Sequence, residues 1–112
     1  MKEAYTYILS NATRTTFYIG VTNDIERRIL EHKAGKGSVF TSKYRITDLM
    51  HYEYYESVID AIDREKQLKS WKRQWKLNLI MEENDTMQDM AFDWFTDEEI
   101  KQCRKDWKYR FS

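Results

Sequence analysis

At 112 residues the chain can bury one hydrophobic core and not two. Hydrophobic residues make up 41% and charged residues 34%, which excludes a disordered polymer, and no apolar run nears the roughly 20 residues that span a bilayer. Cys103 is the only cysteine, which excludes an intramolecular disulfide and a cysteine-based metal cluster. The first residues lack the apolar stretch of a secretory leader, so a cytoplasmic location is expected. The net charge of zero hides an asymmetry: residues 1–81 carry 14 Lys+Arg against 10 Asp+Glu, and residues 82–112 carry 5 against 9. A mildly basic body is compatible with a phosphate-rich partner, although such an excess is common in ordinary domains.

In chain order, residues 5–9 read as a strand with Tyr5, Tyr7 and Leu9 on one face. Residues 10–15 are polar and turn-like, without the glycine a tight hairpin prefers. Phe17, Ile19 and Val21 alternate with Tyr18 and Gly20, giving a second strand that should pair with the first as an antiparallel hairpin. Asn23 with Glu26 reads as a capping box, which starts a helix near Asp24. Gly35 is its stop signal. On that helix Ile25, Arg28, Ile29 and His32 share one face, and Arg27 points away. An arginine on the inward stripe either lines a cleft or covers a surface with its stem.

Residues 33–45 read as a loop with two glycines, several hydroxyls and four basic side chains, including Lys36, Lys43 and Arg45. Such groups contact phosphates, or they simply keep a loop solvated. Residues 49–55 form a third strand, with Met50, Tyr52 and Tyr54 alternating against Leu49, His51 and Glu53. His51 reads as structural. A long helix follows from Val58 to about Ile80, with a break near residues 71–74. Val58, Ala61, Leu68, Trp75 and Leu79 make its apolar face, and Glu65 lies within that arc. A carboxylate there is paired, is a metal ligand, or lies on a less buried face. In the acidic tail, Thr96 and Glu99 form a capping box, and Ile100, Cys103, Trp107 and Phe111 recur at helical spacing. That stripe either docks on the body or meets a homodimer or protein partner. The body is expected to span residues 1–83 and the tail residues 84–112.

Taken together, Tyr5-Thr6-Tyr7, then Tyr18-Ile19-Gly20, then Arg28, His32 and Glu65 resemble the GIY-YIG nuclease family, in its short stand-alone bacterial form. The first block is degenerate but keeps its final tyrosine, and Tyr7 and Tyr18 stand eleven residues apart, as the family pattern asks. The second block matches fully. The resemblance implies an α+β fold, a small sandwich in which a three-stranded antiparallel sheet is flanked by helices; the tail would add a C-terminal helix. It also implies a divalent-metal-dependent endonuclease acting on DNA, with Mg2+ or Mn2+ as cofactor, in repair, recombination or defence. The catalytic set implied is Tyr7, Tyr18, Arg28, His32 and Glu65, with Glu65 as the metal ligand and one tyrosine, Tyr7 by preference, as base for the attacking water. Lys36, Lys43 and Arg45 would contact nucleic acid.

Asn84 would fill the family's asparagine position, touching a phosphate or orienting a tyrosine. Many relatives of this size carry Asn-Pro and a tryptophan there; here the run is Asn84-Asp85-Thr86-Met87, and Asp85 adds negative charge.

Each residue also has a plainer reading. Two of eight tyrosines can be core aromatics, His32 can serve the helix end, and Gly20 can relieve crowding. The ordered spacing favours the site jointly. The alternative functions are a nucleic-acid-binding module with little turnover and a plain interaction protein working through its tail helix.

Overall fold

A computed structural model describes residues 3–110. The elements run β1 (Ala4–Ser10), β2 (Phe17–Thr22), α1 (Ile25–Lys33), α2 (Val39–Lys43), β3 (Asp48–Tyr55), α3 (Val58–Ser70), α4 (Arg73–Glu83) and α5 (Asp97–Arg110). The three strands form one antiparallel sheet in the order β2-β1-β3, so β2 is an edge. This is the expected α+β sandwich with a helix added at the C-terminus.

The hairpin turn closes without glycine. Asn11 Oδ1 accepts from the Thr15 and Thr16 amides, and Arg14 adopts a positive φ of 61°. Arg14 also reaches across to Asp48 at 2.6 Å, tying the turn to β3.

The pleat separates two apolar clusters. Tyr7 and Leu9 pack with Ile25 and Ile29 of α1, with Ile46, Leu49 and Ala91, and with Met90, Trp94 and Phe95 at the margin. On the other face Ile8 and Ile19 pack with Met50, Leu68 of α3 and Ile80 of α4. Thus α1 and α3 lie on opposite faces of the sheet.

The third strand departs from simple alternation. Ile8 pairs with His51 but Leu9 pairs with Leu49, so Met50 is an extra residue in a β-bulge. The bulge puts Leu49 on the Tyr7 face and Met50 on the Ile8 face. The long helix breaks at Trp71, whose φ and ψ of −72° and 149° are extended. The break resets the helical phase: Ile80 is buried, whereas Trp75, expected inside, is half exposed.

Two local readings need correction. The N-cap of α1 is Asp24, whose side chain accepts from the Arg27 amide; Asn23 instead accepts from the Arg27 guanidinium. Residues 33–45 are not all loop, because Ser38 caps the short helix α2 through the Thr41 amide.

The capping box of α5 forms as read: Thr96 accepts from the Glu99 amide while Glu99 accepts from the Thr96 amide. Ile100, Cys103 and Trp107 are half-buried, and α5 lies along α1, where Arg104 Nε donates to the Ala34 carbonyl at 3.1 Å. Phe111 lies outside the described residues. This packing lends no support to a homodimer or protein partner on the stripe. Among the described residues, no helix is long and apolar enough to cross a membrane.

Candidate active site

Tyr7 stands directly across from Gly20, and Tyr18 across from Leu9. The two tyrosines are therefore diagonal neighbours on one sheet face, as the hairpin reading required. The Tyr7 ring lies over the gap that Gly20 leaves. A Cβ at position 20 would sit 2.5 Å from the Tyr7 hydroxyl and 2.6 Å from its Cζ. The glycine of Tyr18-Ile19-Gly20 is thus needed to seat the other tyrosine, not to ease the step from strand to helix.

From α1, His32 meets this pair. Its Nε2 is 3.0 Å from the Tyr7 hydroxyl and its Nδ1 is 3.1 Å from Thr41 Oγ1, which lies 2.8 Å from Ser38 Oγ. Both rings are about 1% exposed. A phosphate-binding patch needs access to solvent, and at Tyr7 and His32 the site is packed shut. The cause is local: α1 ends in two reversing bonds, Gly35 N–H to the His32 carbonyl and Lys36 N–H to the Glu31 carbonyl, with Gly35 at φ 76°. The turn folds Gly37 onto the imidazole, where an added Cβ would come within 2.0 Å of Nδ1.

Burial pushes the His32 imidazole down to about 3, and the nearby charge of Arg28 acts the same way. His32 is therefore neutral at pH 7, with one N–H and one acceptor nitrogen. Burial pushes the Tyr7 phenol up to about 12, against a hydrogen bond and charge from Arg28 that act downward. Burial disfavours the Arg28 charge, but its bonds to Tyr7 and Glu31 outweigh this and hold it firmly protonated. Arg28 keeps a quarter of its side chain exposed and pairs with Glu31 at 3.0 Å.

Tyr18 and Arg28 form the half-open rim of this cluster. The Tyr18 ring lies 5.8 Å from His32 and stacks on Phe40 of α2 at 6.3 Å and 28°.

The remaining residues are placed elsewhere. Glu65 is on α3, on the opposite sheet face, with 22% of its side chain exposed and Lys69 Nζ at 3.4 Å. Its ion pair is thus to its own helix and not to Arg28. Lys36, Lys43 and Arg45 are exposed around α2. Asn84 does not orient a tyrosine. Its Nδ2 donates to the Met50 and Gln88 carbonyls and its Oδ1 accepts from the Gln88 amide, which closes the turn after α4. His51 is structural in geometry: it bonds Glu53 at 2.8 Å, and Glu53 is gripped by both guanidinium arms of Arg64. A cleft of about 480 Å³ lined by Tyr55, Asp60, Asp63, Arg64 and Gln67 does not suit a phosphate, since two carboxylates line it against a single cation.

Sequence reasoning missed two residues. Glu31 is a buried acid three positions after Arg28, a spacing that signals an ion pair. Thr41 is buried in what reads as a polar loop, and only the Ser38 cap three residues earlier hints at its placement.

Among the described residues, no three His, Cys, Asp or Glu side chains converge as a metal cage. The donor set still fits magnesium or manganese. The Glu65 carboxylate, partly open to solvent and paired with exposed Lys69, would offer a hard oxygen of the kind magnesium uses, with one or two carboxylates completed by water and phosphate oxygens.

Comparison with known proteins gives the family. A family model described as the GIY-YIG catalytic domain matches residues 3–78. A UPF0213 protein of Natronomonas pharaonis is 39% identical over 81 residues, covering 72% of this chain and 94% of that protein. A UPF0213 protein of Syntrophus aciditrophicus is 38% identical over 88 residues, covering 78% and 100%. The solution NMR structure of a UPF0213 protein from Bacillus halodurans superposes with a TM-score of 0.50 at 26% identity, covering 81% of this chain and 97% of that one. The seated tyrosine pair, the helix carrying Arg28 and His32, and these matches make the chain a member of the GIY-YIG family.

Proposed function

We propose that the chain is a divalent-metal-dependent endonuclease that hydrolyses DNA phosphodiester bonds, in repair, recombination or defence. The observation that carries this reading is the Tyr7 hydroxyl, which has a neutral imidazole 3.0 Å away and the nearby charge of Arg28 acting on it. A phosphodiester resists hydrolysis because an anion is attacked and an alkoxide must leave, so a base for water and positive charge are both required. Tyrosine is a poor base unless its phenolate is stabilised. In its phenolate form, which the Arg28 charge favours, Tyr7 takes a proton from water while neutral His32 donates a hydrogen bond to its oxygen from Nε2.

Arg28 then offers its planar fork to the phosphate, whose oxygens take the place of the Glu31 carboxylate. Tyr18, on the half-open rim, hydrogen-bonds the entering phosphate. Glu65 would hold Mg2+ or Mn2+, which when bound would supply positive charge for the phosphate and the leaving oxygen. Lys36, Lys43 and Arg45 take backbone phosphates. Asn84, saturated by backbone, has a structural part.

The burial of Tyr7 favours a second reading, a nucleic-acid-binding module with little turnover, and one experiment separates the two. In single-turnover assays with labelled DNA and Mg2+, Tyr7→Phe should lose about 10²-fold or more in rate with affinity kept. Tyr18→Phe should lose mainly affinity. An unchanged rate in Tyr7→Phe overturns the base assignment, and no cleavage by the unmodified protein with either metal supports the binding module.

A further inference from the structure

The helix α2 carries a feature that hydrolysis does not require. Val39, Phe40 and Tyr44 are exposed by 87%, 45% and 47%, an unusual concentration of apolar surface on a five-residue helix. The rings are ordered against one another. Tyr18 stacks on Phe40, and the Phe40 and Tyr44 centroids lie 4.9 Å apart. Lys43 Nζ sits 5.3 Å from the Tyr44 ring centroid. Residues 33–47 include Lys33, Lys36, Lys43 and Arg45 and no acidic residue. The ladder begins at Tyr18, the rim residue of the proposed active site.

An apolar protein partner would meet Lys36, Lys43 and Arg45 exposed beside the rings, with no acidic residue within residues 33–47 to offset them. A nucleic-acid strand matches both parts, with phosphates on the cations and a base face on the rings. Duplex DNA hides its base faces, so only an unpaired base can use the platform. We infer that Phe40 and Tyr44, continuing from Tyr18, form a stacking platform for an unpaired base of a DNA strand, which makes single-stranded or splayed DNA the substrate class. The inference rests on the endonuclease reading for its place beside the scissile phosphate, but the platform can be tested without cleavage.

The test is binding of a single-stranded oligodeoxynucleotide containing 2-aminopurine, and of its duplex, to the full chain in EDTA. The single strand is expected to bind at least tenfold more tightly than the duplex and to lose 2-aminopurine fluorescence on binding. Phe40→Leu and Tyr44→Leu keep apolar bulk but remove the ring; each should weaken the single strand about tenfold and restore the fluorescence. Both positions are half exposed, and unchanged melting temperatures would verify the fold. Equal affinity for duplex, or leucine variants with unaltered binding and quenching, would overturn the platform, the latter marking the patch as a generic apolar contact. Wild-type quenching without cleavage in any metal would sink the endonuclease reading and leave the platform standing.

Discussion

Gly20 and Tyr7 form a pair that neither position explains alone. The hydroxyl and Cζ of Tyr7 occupy the space where any larger residue at 20 would place its Cβ. Gly20→Ala should therefore cost about 1–3 kcal/mol by overpacking. Because the nearest atom is the hydroxyl, that cost should shrink in a Tyr7→Phe background. Urea unfolding of the double-mutant cycle measures the coupling, and strict additivity would show that the strand tolerates the methyl by moving elsewhere.

His32 gives a second prediction at this scale. Its folded value of about 3 lies below the unfolded value of about 6.5, so below pH 6.5 the unfolded chain binds a proton that the folded chain refuses. Stability from this source is present above pH 6.5 and is lost as pH falls towards 3. Glu53, held near 2 because its bonds to His51, Arg64 and Tyr55 outweigh its burial, adds its own loss only below the normal glutamate range. Between pH 6.5 and 4.5 the loss should be about 2 kcal/mol and should be largely absent in His32→Gln. Equal slopes in both proteins would mean that His32 is accessible enough to protonate.

At the scale of elements, the site is assembled where α1 ends. The reversing turn after Lys33 presses Gly37 on His32, hands Thr41 to its other nitrogen, and leads into α2 with its exposed cations. The sequence makes α1 readable because its inward face repeats cleanly, and the alternation of residues 5–9 and 17–21 makes the hairpin readable. Helix α2 is not readable from periodicity, since five residues are too few for a repeat; only Ser38 betrays it. The bulge at Met50 is invisible for a related reason, because one inserted residue looks like ordinary alternation until the partner strand is known. Glu65 is legible as a position in a family pattern, and its partner Lys69 as a helical neighbour; the sheet face on which its helix packs is not. If Lys36, Lys43 and Arg45 touch phosphates, neutralising all three should weaken binding to every sequence alike. It should also flatten the slope of log affinity against log salt by about 0.7 per contact on a single strand. An unchanged slope would show the segment to be merely solvated.

At the scale of the whole molecule, the sheet separates two halves of one proposed machine. Tyr7, Tyr18, Arg28 and His32 gather on the α1 face, and Glu65 comes from α3 on the other. Edge strand β2 packs against α3 and carries Tyr18, so it is the border a DNA strand must cross to meet both. The segment after α4 seals the α1 face with Ala91, while Asp89 ties it to the Leu49 amide and to Lys33. The segment therefore supports the half that holds Tyr7, although the family match ends at residue 78. Joining the two halves is the central claim, and Glu65→Gln tests it most directly. Labelled single-stranded, branched and duplex DNA should be cut by the unmodified protein with Mg2+ or Mn2+ and not in EDTA. Glu65→Gln should keep its melting temperature and its DNA affinity in EDTA while cleavage falls below detection. Full activity in that variant, or its unfolding, would contradict a metal-holding role for Glu65.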